Sequence, residues 1–213
     1  MERRDRRSGN ARPQPTVVMR ALVRELIETV ILALIIFLAL DFSVQNFRVE
    51  GPSMEPTLGN GQHVLVNKIV YLRINPNKLA GFIPFFNSNG GEVFPFHAPN
   101  RGEIVIFRFP RDPSRDFVKR VVGVPGDTVE IRQGRLLVNG VERPEPYVVN
   151  RDETSMRPVA VPPDSFFVLG DNRRASSDSR EWGPVPAENL IGRAWVTYWP
   201  FDRLSALGSP GWP

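Results

Sequence analysis

The chain has 213 residues, enough for one domain with a real core plus an appendage. It has no cysteine, which excludes disulfides, thiolate nucleophiles and Cys-based zinc sites, and its two isolated histidines, His63 and His97, give no basis for a His-rich metal site. The net charge of +4 is uneven: seven arginines (3, 4, 6, 7, 12, 20 and 24) face only Glu2 and Asp5 between Met1 and Arg24.

A basic tail in isolation suits nucleic acid, but this one leads into Thr29–Leu40, an apolar run free of charge. Twelve residues are short for a bilayer. A helix from about 21 to 44 nevertheless covers the thickness if Arg24 and Glu25 snorkel to one interface and Asp41 sits at the other. Arg24 and Glu28, four apart, can pair on one face of it. A cleavable signal needs a small-x-small site soon after the run, and Leu38-Ala-Leu-Asp-Phe42 supplies none. We therefore read residues 25–45 as an uncleaved membrane anchor rather than a cleaved signal or a buried helix. The positive-inside bias keeps residues 1–24 cytoplasmic and sends residues 46–213 across as a single-pass protein. The expected surface partner is a lipid bilayer, not nucleic acid.

Beyond the anchor, 21 prolines and 17 glycines punctuate short apolar runs, which favours a mostly β domain. Strands are predicted at His63–Val70, Glu103–Phe109, Asp116–Val124, Thr128–Arg132, Arg135–Val138, Ser165–Leu169 and Gly192–Trp199. Pro125-Gly-Asp127 closes the third as a turn. Gln133-Gly134 and Asn139-Gly140 read as hairpin turns around one short strand. Residues 71–100 differ, with Phe82, Phe85, Phe86, Phe94 and Phe96 set among Pro, Gly and Asn. This inserted segment reads either as a loop packed on the domain or as an apolar surface for the lipid interface.

The stretch Gly51-Pro-Ser-Met-Glu-Pro-Thr-Leu58 puts one serine between two prolines. If Ser53 is a nucleophile, something must take its proton, and neither histidine has an acidic residue obviously placed to orient it. Lys119 is the alternative base. On an extended strand it shares a face with Phe117 and Val121, and apolar neighbours disfavour the charged amine. Neutral amine at pH 7–8 requires a pKa about 2.5–3 below the free value near 10.4, a desolvation cost of roughly 3.5–4 kcal/mol. On local sequence alone a snorkelling lysine and a plain turn serine are the better fit to these positions. The stretch Gly170–Gly183 is dense in Asp, Ser, Asn and Arg; it is either a solvated turn or a loop ordered by charge-assisted bonds that offers the lysine a hydroxyl.

Taken together, Gly51–Leu58, Arg101–Phe107, Val118–Asp127 and Gly170-Asp-Asn-Arg…Ser176-Ser-Asp-Ser-Arg180 resemble, in order, the boxes of bacterial signal peptidase I, from the anchor to about Asp202. That resemblance implies a Ser-Lys dyad serine protease with a mostly β extracytoplasmic domain and one N-terminal transmembrane helix in the cell membrane. Its substrates are the signal peptides of exported preproteins, cut after a small-x-small site, without metal or organic cofactor. Carried over by position, Ser53 matches the nucleophile, Lys119 the general base and Ser176 the hydroxyl that orients the lysine. Asp178 and Arg180 match an ion pair near the site, Asp171 and Arg173 share its supporting loop, and Met54 lies beside the substrate cleft. Ser53 N–H is expected as one oxyanion donor. Gly51 occupies the position where some members carry a second, and Arg174 and Ala175 depart from the usual box. Two rivals predict different behaviour: a self-cleaving regulator, for which Ala80-Gly81 would be the scissile pair, and a membrane-tethered binding module.

Overall fold

The computed structural model describes residues 15–73 and 94–209. The basic tail up to residue 14 and most of the inserted segment, including Phe82, Phe85 and Phe86, lie outside them. The chain divides into two units, residues 1–41 and 42–213.

The first unit is carried by helix α1 (Pro15–Ser43). Its segment Leu22–Ser43 is long and apolar enough to cross a membrane, by length and composition. Leucine, isoleucine and phenylalanine are exposed along it, for example Leu26, Ile31 and Phe37, so it is apolar all round rather than striped. Arg24 Nε donates to Glu28 Oε1 at 2.6 Å, the four-residue pairing read from the sequence.

The second unit is β. Its strands are β1 (Val44–Arg48), β2 (His63–Asn67), β3 (Ile104–Phe109), β4 (Asp112–Gly123), β5 (Thr128–Arg132), β6 (Arg135–Val138), β7 (Val141–Glu142), β8 (Met156–Ala160), β9 (Ser165–Leu169), β10 (Val185–Pro186), β11 (Leu190–Trp199) and β12 (Ser205–Ala206). A one-turn helix, α2 (Ser179–Trp182), follows β9. The larger sheet runs β1-β2-β11-β3-β4-β9-β10 with β12 on β11, and the smaller runs β7-β6-β5-β8.

All seven predicted strands are present, with shifted ends. The strand expected to reach Val70 stops at Asn67, because Asn67 Oδ1 accepts from Val70 N–H at 3.1 Å and turns the chain into a 3-10 turn. β4 starts earlier than predicted, at Asp112, as the return arm of a long hairpin with β3. The two short hairpin turns behave as read: Gln133, Gly134, Asn139 and Gly140 all have positive φ. β1, β8 and the two-residue strands β7, β10 and β12 are not among those predicted. β1 lacks strict alternation, and β8 carries Pro158, which suits its place at the edge of the smaller sheet.

β3 is buried on both faces, which explains its continuous apolar run. Ile104 and Ile106 pack with Val49, Met54, Leu58, Val64 and Val66, while Val105 and Phe107 face Val121, Phe166, Val168 and Val185. A third cluster is built mainly from the smaller sheet, with Val122, Phe167 and Leu169 set against Val129, Ile131, Leu136 and Val138. Phe167 is fully buried there. Phe167→Ala is expected to cost about 3–5 kcal/mol, whereas Val141→Ala on the exposed β7 should change stability by less than about 0.5 kcal/mol. Denaturant unfolding of the full chain in detergent micelles measures both.

Candidate active site

The turn that carries Ser53 is fixed from below. Met54 and Leu58 are fully buried, and Leu58 N–H donates to the Met54 carbonyl at 2.9 Å. Gly51 enters the turn at φ 85°, a left-handed value that glycine adopts without strain, and its N–H donates to Asn60 Oδ1 at 3.0 Å. With its neighbours anchored, half-buried Ser53 projects into a cleft of about 440 Å³. Phe47, Val49, Val64, Ile106 and Val118 form its apolar lining, and Lys119 closes it beside Ser53.

Lys119 sits on β4 opposite Val105 of β3 and is only 4% exposed. Its Nζ donates to Ser53 Oγ at 2.8 Å and to the Val118 carbonyl at 3.0 Å. The Phe117 ring centre lies 5.4 Å from Nζ, as strand alternation requires of residues two apart. Burial is the main influence on this amine and lowers its pKa from 10.5 to about 8; the Asp178 and Asp171 carboxylates pull the other way, and Arg180 adds to the lowering.

The loop after β9 is ordered by charge, not solvated. Asp178 accepts Arg180 Nε at 2.8 Å and Nη2 at 2.9 Å, together with Gly170 N–H at 3.0 Å. Arg180 also donates to Asp152 Oδ2 at 2.6 Å and to the Arg173 carbonyl at 2.7 Å. Asp171 takes a bidentate grip from Arg120, at 2.8 and 2.6 Å, and the Thr57 hydroxyl at 2.5 Å. Arg173 donates to the Gly170 carbonyl at 3.0 Å and forks onto Glu145, Nη1 to Oε2 at 3.0 Å and Nη2 to Oε1. These are buried charges with matched partners, the condition under which burial is tolerable. The loop touches the Ser53 turn directly: Asn172 N–H donates to the Ser53 carbonyl at 3.1 Å. A Cβ at Gly170 would lie 2.5 Å from that carbonyl oxygen and 2.2 Å from Ser176 Oγ, so only glycine fits.

The geometry therefore brings Ser53 and Lys119 into contact and sets Asp171, Arg173, Asp178 and Arg180 around them. Two expectations change. Ser176 Oγ donates to Asp178 Oδ2 at 2.8 Å, two residues on in its own loop, while Lys119 Nζ turns to Ser53 and the Val118 carbonyl rather than to Ser176. Its link to Lys119 runs through Asp178. Met54 does not line the cleft; its unbranched apolar chain is fully buried in the core beneath it. Among the described residues, Ser53 N–H has no acceptor, and no three His, Asp or Glu side chains gather as a metal site. Sequence reasoning missed Arg120, Glu145 and Asp152. Arg120 is signalled only by its place beside Lys119, and the other two lie in a stretch without strand pattern.

Two measurements test this electrostatic picture. The lysine value is about 8 in the fold against about 10.4 unfolded, so the unfolded chain binds more protons between these values. Stability then rises with pH across that window, and below it a cost of roughly 3 kcal/mol is fully in force. Lys119→Met should be more stable than wild type at pH 7, by up to about 3 kcal/mol, with a smaller gain at pH 10. Equal gains at the two pH values in denaturant titrations would refute it. Asp178→Asn removes the leading carboxylate that holds the proton, so the Lys119 amine should titrate below about 8 by NMR of labelled lysine.

Residues 22–199 match the family described as signal peptidase, peptidase S26. The chain is 37% identical over 192 residues to signal peptidase I of Leptolyngbya laminosa, covering 86% of this chain and 83% of that protein. It is 36% identical over 190 residues to probable signal peptidase I-2 of Synechocystis sp., covering 86% and 76%. Against signal peptidase I of Pseudomonas aeruginosa it is 32% identical over 215 residues, covering 81% and 72%. The chain belongs to the peptidase S26 family of signal peptidases and is a serine peptidase.

Proposed function

We propose that this chain is a membrane-anchored signal peptidase that cuts exported preproteins after a small-x-small site, with Ser53 as nucleophile and neutral Lys119 as general base. The observation that carries this reading is the 2.8 Å contact between a buried amine and the Ser53 hydroxyl. With a pKa of about 8, roughly a tenth of the molecules hold the neutral amine at pH 7. In that form the hydrogen bond reverses, and Ser53 donates to the Nζ lone pair.

Attack of Ser53 Oγ on the scissile carbonyl transfers the hydroxyl proton to Lys119. The ammonium then protonates the departing amine, leaving an acyl-enzyme. Lys119, neutral again, takes a proton from water, whose attack releases the signal peptide and restores Ser53. Ser53 N–H, which meets no acceptor among the described residues, is available to the oxyanion. The substrate adds as an extended segment along the apolar cleft, where Phe47, Val64 and Ile106 leave room for small side chains at alternate positions. α1 anchors the enzyme in the bilayer, residues 1–24 stay cytoplasmic, and the β unit works on the far side.

The test uses the full chain in detergent micelles and a preprotein whose signal ends Ala-x-Ala. Wild type should cut after that site, with an acid limb of kcat/KM near pH 8. Ser53→Ala and Lys119→Ala should each lower kcat at least about a thousandfold. An uncut preprotein, or full activity in either variant, rules the reading out. Cleavage confined to the enzyme's own chain would favour a self-processing regulator.

A further inference from the structure

Pro144-Glu-Pro-Tyr147, between β7 and β8, does not line the cleft, yet the charges that flank Lys119 lean on it. The two prolines hold Glu145 in an extended backbone. Buried Glu145 receives both Arg173 guanidinium NH₂ groups and, at 3.2 Å, the Tyr147 hydroxyl. That bond orients the phenol, and the Tyr147 ring centre lies 4.0 Å from the Arg120 guanidinium carbon. Arg120 is already engaged along its edge, to both Asp171 oxygens and, at 2.7 Å, to the Gly102 carbonyl. Its flat face is what the ring meets, as a cation–π contact.

From Arg120 the chain of contacts reaches the nucleophile by two routes. Asp171 takes the Thr57 hydroxyl of the nucleophile turn, and the next residue, Asn172, donates to the Ser53 carbonyl. We propose that Tyr147 is a positioning residue: its ring on Arg120 holds the Arg120–Asp171 pair, and through it the Gly170–Asn172 turn, against Ser53, which keeps water from the Lys119 amine. This rests on the dyad reading above. The charged groups around Lys119 are Asp171, Asp178 and Arg180 on the loop, Arg115, Asp116 and Arg120 on its own strand, and Arg48 and Glu50 across the cleft. Burial is the largest single influence on the amine's proton affinity, ahead of Asp178, Asp171 and Arg180. Loosening the turn admits water, so the amine moves back towards its ordinary value.

The experiment compares kcat and KM across pH for wild type, Tyr147→Phe and Tyr147→Leu, as full chains in micelles with the Ala-x-Ala preprotein, beside their melting temperatures. Tyr147→Phe keeps the ring and should keep the wild-type acid limb. Tyr147→Leu should lower kcat about tenfold at pH 8 with KM within about twofold, and its acid limb should move to higher pH. If Tyr147→Leu does not fold, Tyr147→Met refills the volume without a π face and carries the same expectation. An unmoved limb in the Leu or Met variant, with activity falling only as melting temperature falls, overturns the proposal. So does a Phe variant whose limb moves as far as that of Leu. A wild type that leaves the preprotein uncut sinks the enzyme reading and this inference together, whereas a cutting wild type with an unmoved limb sinks only the role of Tyr147.

Discussion

An amine kept out of water and a hydroxyl in contact with it set the terms for everything around Ser53. Burial lowers the Lys119 pKa, Asp178 and Asp171 restrain the fall, and Arg180 adds to the lowering. Because each charge is buried with its partner, the balance depends on geometry being maintained within the length of a hydrogen bond.

The two sheets divide this work. The larger one carries the two groups in contact: β4 supplies Lys119, and the turn between β1 and β2 supplies Ser53. The smaller one contributes nothing to the cleft lining, yet Glu145 and Asp152, both from the connection between β7 and β8, take the guanidinium groups of Arg173 and Arg180. That connection braces the loop against which the nucleophile turn rests. The third core cluster, centred on Phe167, Val129 and Leu136, locks the strands that frame it.

The sequence made the chemistry legible and the bracing largely invisible. Ser53 between its prolines and Lys119 among apolar strand residues stand out because local pattern determines both: a constrained turn and a two-residue alternation. Pairings such as Arg120 with Asp171, or Arg173 with Glu145, join positions 51 and 28 residues apart, and no local spacing encodes them. The same limit explains Ser176 and Met54. Ser176 could have met the lysine, and only the fold shows that its contact is with Asp178 of its own loop. A methionine next to a nucleophile can face outward or inward, and here the packing of Leu58, Val64 and Ile106 draws it in. Strands with strong apolar runs were found, while β1 and the proline-bearing edge strand β8 gave too little periodicity to be seen.

Gly170 carries a last consequence. Its missing side chain lets a loop and a turn from distant parts of the chain close to the distance of bare backbones, with Ser176 on one side and the Ser53 carbonyl on the other. Two surfaces meshed that tightly have no slack with which to absorb a change in either one. Variation arising in one stretch is transmitted to its mate, so the pair can drift only in concert, like the two halves of a single cast part.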